Sequence, residues 1–365
     1  MVSCQQEEFQ TLDKSTPPNI QLINKDFSYF QNNVDQSILN SNWWKELNPV
    51  SQQFVGMELS NVKNPITLLE LQARKKGSLE LAKSKKNGCG GFPIANPEGD
   101  VTLNSQADVI AFGALKCKEI VGALVVIDTL GPDPICDLQP LSKLKEIGSS
   151  MTINSDCLTN LNGLNKLKPI GKLGPFGFIG INGDNIFDIE ALSKLSTITG
   201  SINLINCDGL TGFTSAFSLI NAVESGQTSA PVTSIYVLNV NDNDLLTDLS
   251  GFGNISNIEG GLRILTNASL LDLDDLSGLN TIGDDIFIFE NGSLQNINEL
   301  SNISSINDDL FVFENLALTQ CCGLYSLLCS DAPTCSANGV GDNVAIFNNG
   351  GGCTDLDIIA NGPCI

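Results

Sequence analysis

Three copies of one phrase decide the fold of this chain: IEGGLRILTN at 258–267, IGDDIFIFEN at 282–291 and INDDLFVFEN at 306–315. Their first residues, Ile258, Ile282 and Ile306, are 24 positions apart. A fixed period of this length is typical of a solenoid, in which each unit buries its apolar face against its neighbours. We therefore expect a β-rich, leucine-rich solenoid built from stacked coils.

Each unit contains a short strand, a turn and a return segment. The fifth and seventh residues of the phrase are aliphatic, which is the alternation of a strand with one buried face. The tenth residue is asparagine in all three copies, and stacked asparagines can satisfy one another in a buried ladder. We predict such a ladder at Asn267, Asn291 and Asn315. The leucines that follow at every third position indicate a tight return segment of turns and short helical pieces.

Strand alternation also predicts a binding surface. The sixth and eighth residues of each phrase should face outward on one sheet, and neighbouring coils lie about 4.8 Å apart. Five phenylalanines would then form a patch on the order of 400–600 Å², more than monomers usually leave exposed. Either a partner uses this face, or the 20–86 segment or a C-terminal loop covers it. The predicted ligand-binding residues are Tyr236, Arg263, Leu265, Phe287, Phe289, Phe311, Phe313 and Phe347.

The charge of the chain limits its partners. The 365 residues carry a formal net charge of −22, and neither Lys nor Arg occurs after Arg263. Such a surface repels phosphate backbones, so we expect no nucleic acid partner. The sequence contains no run of about 18 apolar residues, so we expect membrane attachment only through a lipid anchor.

The 12 cysteines indicate an oxidising compartment and disulfides. Cys89 and Cys117 are candidates for a staple at the start of the solenoid. Cys207 occupies the position that asparagine holds in other coils, so it is the best candidate for a buried, unpaired thiol. Six cysteines are expected to cross-link a C-terminal cap at about 318–365: Cys321, Cys322, Cys329, Cys335, Cys353 and Cys364.

The first hundred residues lack the repeat. The start, MVSCQQEE, resembles the end of a bacterial lipoprotein signal, so we predict lipidation of Cys4 and a tether over 1–19; the alternative is an incidental cysteine in a tail. Residues 20–88 have helix-like spacing and a basic cluster at 74–86, which predicts a small helical module. Residues 89–98 are dense in turn residues and read as a linker.

Residues 99–365 resemble the receptor L-domain family. The resemblance rests on VTLNSQADVIAF and CKEIVGALVV near the start, the repeated L-x-x-L-x-x-I-G-x-x-L-x-I phrase, and CCGLYSLL with VAIFNNGGGCTDLDIIANGPC at the end. It implies a right-handed leucine-rich β-solenoid that serves extracellular recognition or adhesion, binding a protein or a glycan at the surface. The ending is most similar to bacterial surface members, and together with the predicted lipidation of Cys4 this leads us to expect a lipid-anchored location at a bacterial outer membrane.

Catalysis has little support in the sequence. The chain has no histidine, so a Ser-His or Cys-His nucleophile is impossible. We expect no enzyme, metal or cofactor, although a β-helix polysaccharide-degrading enzyme with paired carboxylates is an alternative. A further alternative is a structural or self-assembling surface protein whose aromatic face is covered internally. The acidic pairs at 274–275, 284–285 and 308–309 are expected at turns that face water.

Overall fold

A computed structural model describes residues 99–128, 132–171, 177–198, 200–212, 216–217, 234–329, 339–354 and 358. The chain divides into two compact units, 1–71 and 72–365, and every described residue belongs to the second. The predicted tether at 1–19, helical module at 20–88, linker at 89–98 and lipidation at Cys4 lie outside the described residues. Within those residues, no helix is long and apolar enough to cross a membrane.

The described chain is β-rich, with few helices, and its strands are parallel. One sheet has ten strands, and each strand pairs with the equivalent strand of the next coil. This arrangement is consistent with a parallel β-solenoid. In sheet order the strands are β1 (Val101–Leu103), β3 (Leu124–Ile127), β5 (Met151–Asn154), β7 (Ile179–Asn182), β9 (Ile202–Ile205), β11 (Leu238–Asn241), β13 (Leu262–Leu265), β15 (Ile286–Phe289), β16 (Leu310–Phe313) and β17 (Val344–Phe347).

Two narrower sheets form a second side of the coils. Each of their strands is two residues long and ends on the isoleucine that begins the repeated phrase. One sheet has four strands and the other has three. They are β2 (Glu119–Ile120), β4 (Glu146–Ile147), β6 (Pro169–Ile170) and β8 (Thr197–Ile198), and then β10 (Ser234–Ile235), β12 (Asn257–Ile258) and β14 (Thr281–Ile282).

The return segments contain short 3₁₀ helices, as the three-residue leucine spacing predicts. A side-chain oxygen of Asp or Asn accepts a hydrogen bond from the backbone N–H two residues later, at 2.8–3.2 Å, and fixes each turn. The residues that accept these bonds are Asp137, Asn160, Asp188, Asp248, Asp272 and Asn296. The 3₁₀ helices are Gln139–Leu141, Glu190–Leu192, Ser250–Phe252, Asp274–Leu276, Asn298–Asn302 and Cys322–Leu324.

Two α-helices lie at the ends of the described solenoid. Helix α1 (Gln106–Ala114) follows β1, and the Ser105 side chain caps it by accepting from Asp108 N–H at 3.2 Å. Helix α2 (Tyr325–Leu328) precedes the last strand. The apolar residues between the ends form one continuous core: the repeat leucines Leu270, Leu273, Leu276 and Leu279 are fully buried.

Disulfides fasten both ends of the described solenoid. Cys136 pairs with Cys157, and Cys321 pairs with Cys353 across the last coil. Cys117, Cys322 and Cys329 are also disulfide-bonded. The prediction of a disulfide-rich C-terminal cap is therefore confirmed for its four described cysteines. Cys89, Cys335 and Cys364 lie outside the described residues.

Candidate functional site: the outer face of the long sheet

A ladder of asparagines lies directly behind the outer face. Asn267 donates from Nδ2 to Oδ1 of Asn291 at 3.1 Å, and Asn291 donates in the same way to Asn315. Each backbone N–H adds a second bond of 3.1 Å to the same oxygen. The ladder that the sequence predicts at these three residues is present, and it extends to Asn243 and Asn349.

A left-handed residue precedes each ladder position and turns the ladder side chain inward. Thr266, Glu290 and Glu314 have φ values of 51°, 55° and 58°. This conformation is strained for residues other than glycine. The buried amide bonds of the ladder offset that strain, so the turn after each long strand has the same shape in successive coils.

Cys207 replaces asparagine at one ladder position. Its N–H donates to Asn243 Oδ1 at 3.0 Å, and its Sγ lies 3.7 Å from the carbonyl oxygen of Ile181. The thiol is buried and is the free cysteine of the described residues, as predicted. Burial raises the pKa of the Cys207 thiol from 9.0 to about 12 because a thiolate would be poorly solvated there.

We expect the stability of the fold to fall with rising pH because of this thiol. Between pH 9 and 12 the unfolded chain releases the Cys207 proton while the folded chain keeps it. Relative to Cys207→Ala, the free energy of unfolding should therefore decrease by about 0.3 kcal/mol from pH 8 to 9 and by about 1 kcal/mol from pH 9 to 10. Denaturant titrations of both proteins at pH 8, 9 and 10 measure this difference. Parallel curves for the two proteins would contradict it.

The structure brings the aromatic residues together as predicted. Rings on neighbouring strands stack with centroids 5.2 Å apart for Phe287 and Phe311, 5.0 Å for Phe289 and Phe313, and 5.1 Å for Phe313 and Phe347. The register places Arg263 beside Phe287 and Leu265 beside Phe289. Two columns therefore run along this face; on β17 the column of Phe289 and Phe313 ends at Phe347, and the column of Phe287 and Phe311 ends at Ala345.

This face is buried over most of its length. Arg263, Leu265, Phe289 and Phe313 are at most 3% exposed and Phe287 is 7% exposed. Ring stacking hides only the faces of the rings, so other parts of the same chain must exclude water from their edges. This burial agrees with one of the two alternatives in the sequence analysis, in which the chain itself covers the face. Phe311 is half-buried, and Phe347 at the end strand is 41% exposed.

Tyr236, in the coil of β10 and β11, is not where the sequence predicts. Leu238 pairs with Leu262 and faces the core, so Asn239 and Asn241 occupy the outward positions. Tyr236 precedes the strand and is not in the column. The turn between the two strands is one residue shorter here than between β12 and β13, which shifts the phase. The correct register of this strand can be read from the ladder position Asn243, because Asn243 lies five residues after Leu238, as Asn267 lies five residues after Leu262.

A buried ion pair lies at the centre of the face. Arg263 Nη2 donates to Asp285 Oδ2 at 3.0 Å, and the guanidinium carbon lies 5.4 Å from the Phe287 ring centroid. Gly261 leaves room for the carboxylate, since a Cβ atom at 261 would collide with Asp285 Oδ1. The expectation that the acidic pairs face water is therefore wrong for Asp284 and Asp285, which are 7% and 8% exposed.

A polar pair continues the face toward β9. Asn239 Nδ2 donates to Asn203 Oδ1 at 3.3 Å, and both residues are 1% exposed. In the described part of the chain, Nδ2 of Asn203 and Oδ1 of Asn239 have no hydrogen-bond partner. Burying a hydrogen-bond donor and an acceptor without partners lowers the free energy of unfolding. A bound group that both accepts and donates hydrogen bonds, such as a hydroxyl, would satisfy both atoms.

Carboxylates gather at the turns that leave β7, β9 and β11. Burial, followed by repulsion between neighbouring carboxylates, raises the pKa of Asp242, and burial is also the largest cause of the raised pKa of Asp208. Within the described ranges, no group of three or more His, Cys, Asp or Glu side chains has the arrangement of a metal site.

Neither a family model nor a curated protein matches the chain.

Proposed function

We propose that this protein is a non-enzymatic recognition or adhesion module of the receptor L-domain type, with right-handed coils, that binds a protein or a glycan outside the cell. Lipidation at Cys4 would hold it at a bacterial outer membrane. The resemblance at 99–365 and the disulfides support an oxidising, extracellular setting. The ligand would bind at the exposed end of the aromatic face, at Phe347, rather than at the buried rings in its middle.

The observation that carries the proposal is the environment of Phe347. One face of its ring stacks on Phe313, while 41% of the side chain is exposed. It belongs to β17, the last strand of the long sheet, which pairs on one side with β16. In the part of the chain that the structure describes, the other edge of β17 has no strand partner, and such an edge beside an exposed ring suits an added peptide strand or a stacked sugar ring.

The burial of Phe287, Phe289 and Phe313 favours a second candidate function. A structural or self-assembling surface protein would use its aromatic face to hold its own chain together. In that case the rings contribute to stability and no ligand touches them. The two candidates predict different effects for a buried ring and for the exposed ring.

Phe347→Ala and Phe289→Leu separate these functions. We expect Phe347→Ala to leave the protein folded, with a loss of about 1 kcal/mol from the stacking on Phe313, and to abolish the binding that the wild-type protein shows on an oligosaccharide array and an extended-peptide library. Phe289→Leu should lower the free energy of unfolding by about 1 kcal/mol through lost ring stacking.

The controls decide between the candidates. Phe347→Tyr keeps the ring and should keep binding. If the wild-type protein binds neither library, or if Phe347→Ala binds as the wild type does, recognition through β17 is wrong. A loss of stability in Phe289→Leu without any ligand for the wild type would support the structural alternative.

A further inference from the structure

Seven lysines form two straight columns on the first four coils. In three of the coils two lysines flank one buried residue, in the pattern Lys-x-Lys just before the short strand, and in the fourth coil Lys194 stands alone with Ser196 at the second position. All seven side chains are exposed. The first column contains Lys116, Lys143, Lys166 and Lys194, and the second contains Lys118, Lys145 and Lys168.

The backbone fixes this alignment. Lys145 N–H donates to the carbonyl oxygen of Lys118 at 2.8 Å, and Lys168 N–H donates to that of Lys145 at 3.0 Å. The buried residues between the columns, such as Leu144 and Leu167, anchor each pair in the core. Successive coils lie about 4.8 Å apart, so four coils give a basic strip about 14 Å long.

The strip contrasts with the rest of the molecule. The chain has a net charge of −22, yet every lysine that the structure describes lies in these two columns. Arg263 is buried against Asp285. Among the described residues, none of the seven lysines has an ion pair within 4.0 Å. Where the same columns continue in later coils, neutral side chains follow, for example Asn254, Asn280 and Ser304.

Parallel rows of like charge are unfavourable without a counter-charge. Two ammonium groups 5 Å apart repel by about 0.8 kcal/mol even in water. Glu119 and Glu146 follow the second column on β2 and β4 and are half-buried, but two carboxylates can offset at most two of the seven ammonium charges. The arrangement therefore favours an external anion that carries charges at regular intervals.

We propose that this strip binds a linear acidic glycan, with its carboxylate or sulfate groups lying between the two lysine columns. A polyuronate carries one carboxylate per sugar, at a repeat comparable to the spacing of the coils. Nucleic acid fits less well, because its denser phosphates would meet the acidic coils that follow the strip. The strip lies beside the short strands β2, β4, β6 and β8, so it is a different surface from Phe347 and goes beyond the function proposed there.

The test uses the full chain, polygalacturonate as the probe, and neutral dextran and duplex DNA as comparisons. Lys143→Gln with Lys145→Gln should raise the Kd for polygalacturonate about tenfold, the equivalent of about 1.4 kcal/mol. Binding of the wild type should weaken as salt increases, and the double variant should show a shallower salt dependence. The exposed positions predict an unchanged melting temperature.

A matched control changes the same amount of charge elsewhere. Gln295→Glu with Gln320→Glu also lowers the net charge by two, on exposed positions of later coils, and should leave the Kd within twofold. Phe347→Ala should also bind polygalacturonate normally, which separates this site from the recognition site. The proposal is overturned if the wild type does not bind polygalacturonate at low salt, if both double variants lose affinity equally, or if the wild type binds DNA more tightly.

Discussion

Replacing Asn291 by alanine is expected to lower the free energy of unfolding by about 4 kcal/mol. Asn291 Nδ2 donates to the carbonyl oxygens of Ile264 at 2.8 Å and Phe289 at 3.1 Å, and its Oδ1 accepts two bonds from Asn267. The residue is fully buried. Alanine supplies none of these partners, and water cannot replace them, so several backbone and amide groups would stay unsatisfied in the core.

Asn280→Ala is the matched control because Asn280 belongs to the same coil. Its Nδ2 donates to the carbonyl oxygen of Gly278 at 2.9 Å, but the side chain is exposed, so water can replace that bond. We expect a loss below about 0.5 kcal/mol. Urea unfolding followed by circular dichroism measures both variants. Similar losses for Asn280→Ala and Asn291→Ala would show that the ladder is not a special source of stability.

The period of the sequence was enough to predict the ladder and the aromatic columns. Both follow from one repeat: Asn267, Asn291 and Asn315 occupy the same place in coils of equal length, and so do Phe289 and Phe313. When coil length is constant, register in a parallel sheet follows from counting residues. Prediction was wrong at Tyr236, where the coil is one residue shorter and the count from Ile235 no longer applies.

The burial of the outer face could not be predicted from the repeat. Alternation indicates which side of a strand Phe287 and Phe289 occupy, but not whether distant parts of the chain lie over that side. The ion pair between Arg263 and Asp285 could not be predicted from the repeat either. The sequence places their strands side by side but does not specify which side chains meet. The lysine columns did have a signal in the sequence, the Lys-x-Lys pattern that precedes β2, β4 and β6.

Removing the Arg263 guanidinium should destabilise the fold almost as much as breaking the ladder. We expect Arg263→Met to lower the free energy of unfolding by about 3 kcal/mol, because it leaves the Asp285 carboxylate in the interior without its cation. Both side chains of the pair are largely buried, at 4% and 11% exposure, so solvent screens the interaction little. Methionine keeps much of the packing against Phe287, so lost volume contributes little to the change.

The double variant Arg263→Met with Asp285→Asn tests whether the unpaired charge is the cause. Replacing both members of a buried pair is often close to neutral, whereas removing one is costly. We therefore expect the double variant to recover most of the loss, and Lys194→Met, which removes an exposed charge, to change stability by less than about 0.5 kcal/mol. If the double variant is as unstable as Arg263→Met, lost contacts with the aromatic column rather than the stranded carboxylate account for the effect. In that case Arg263 stabilises the face mainly through its contact with the Phe287 ring.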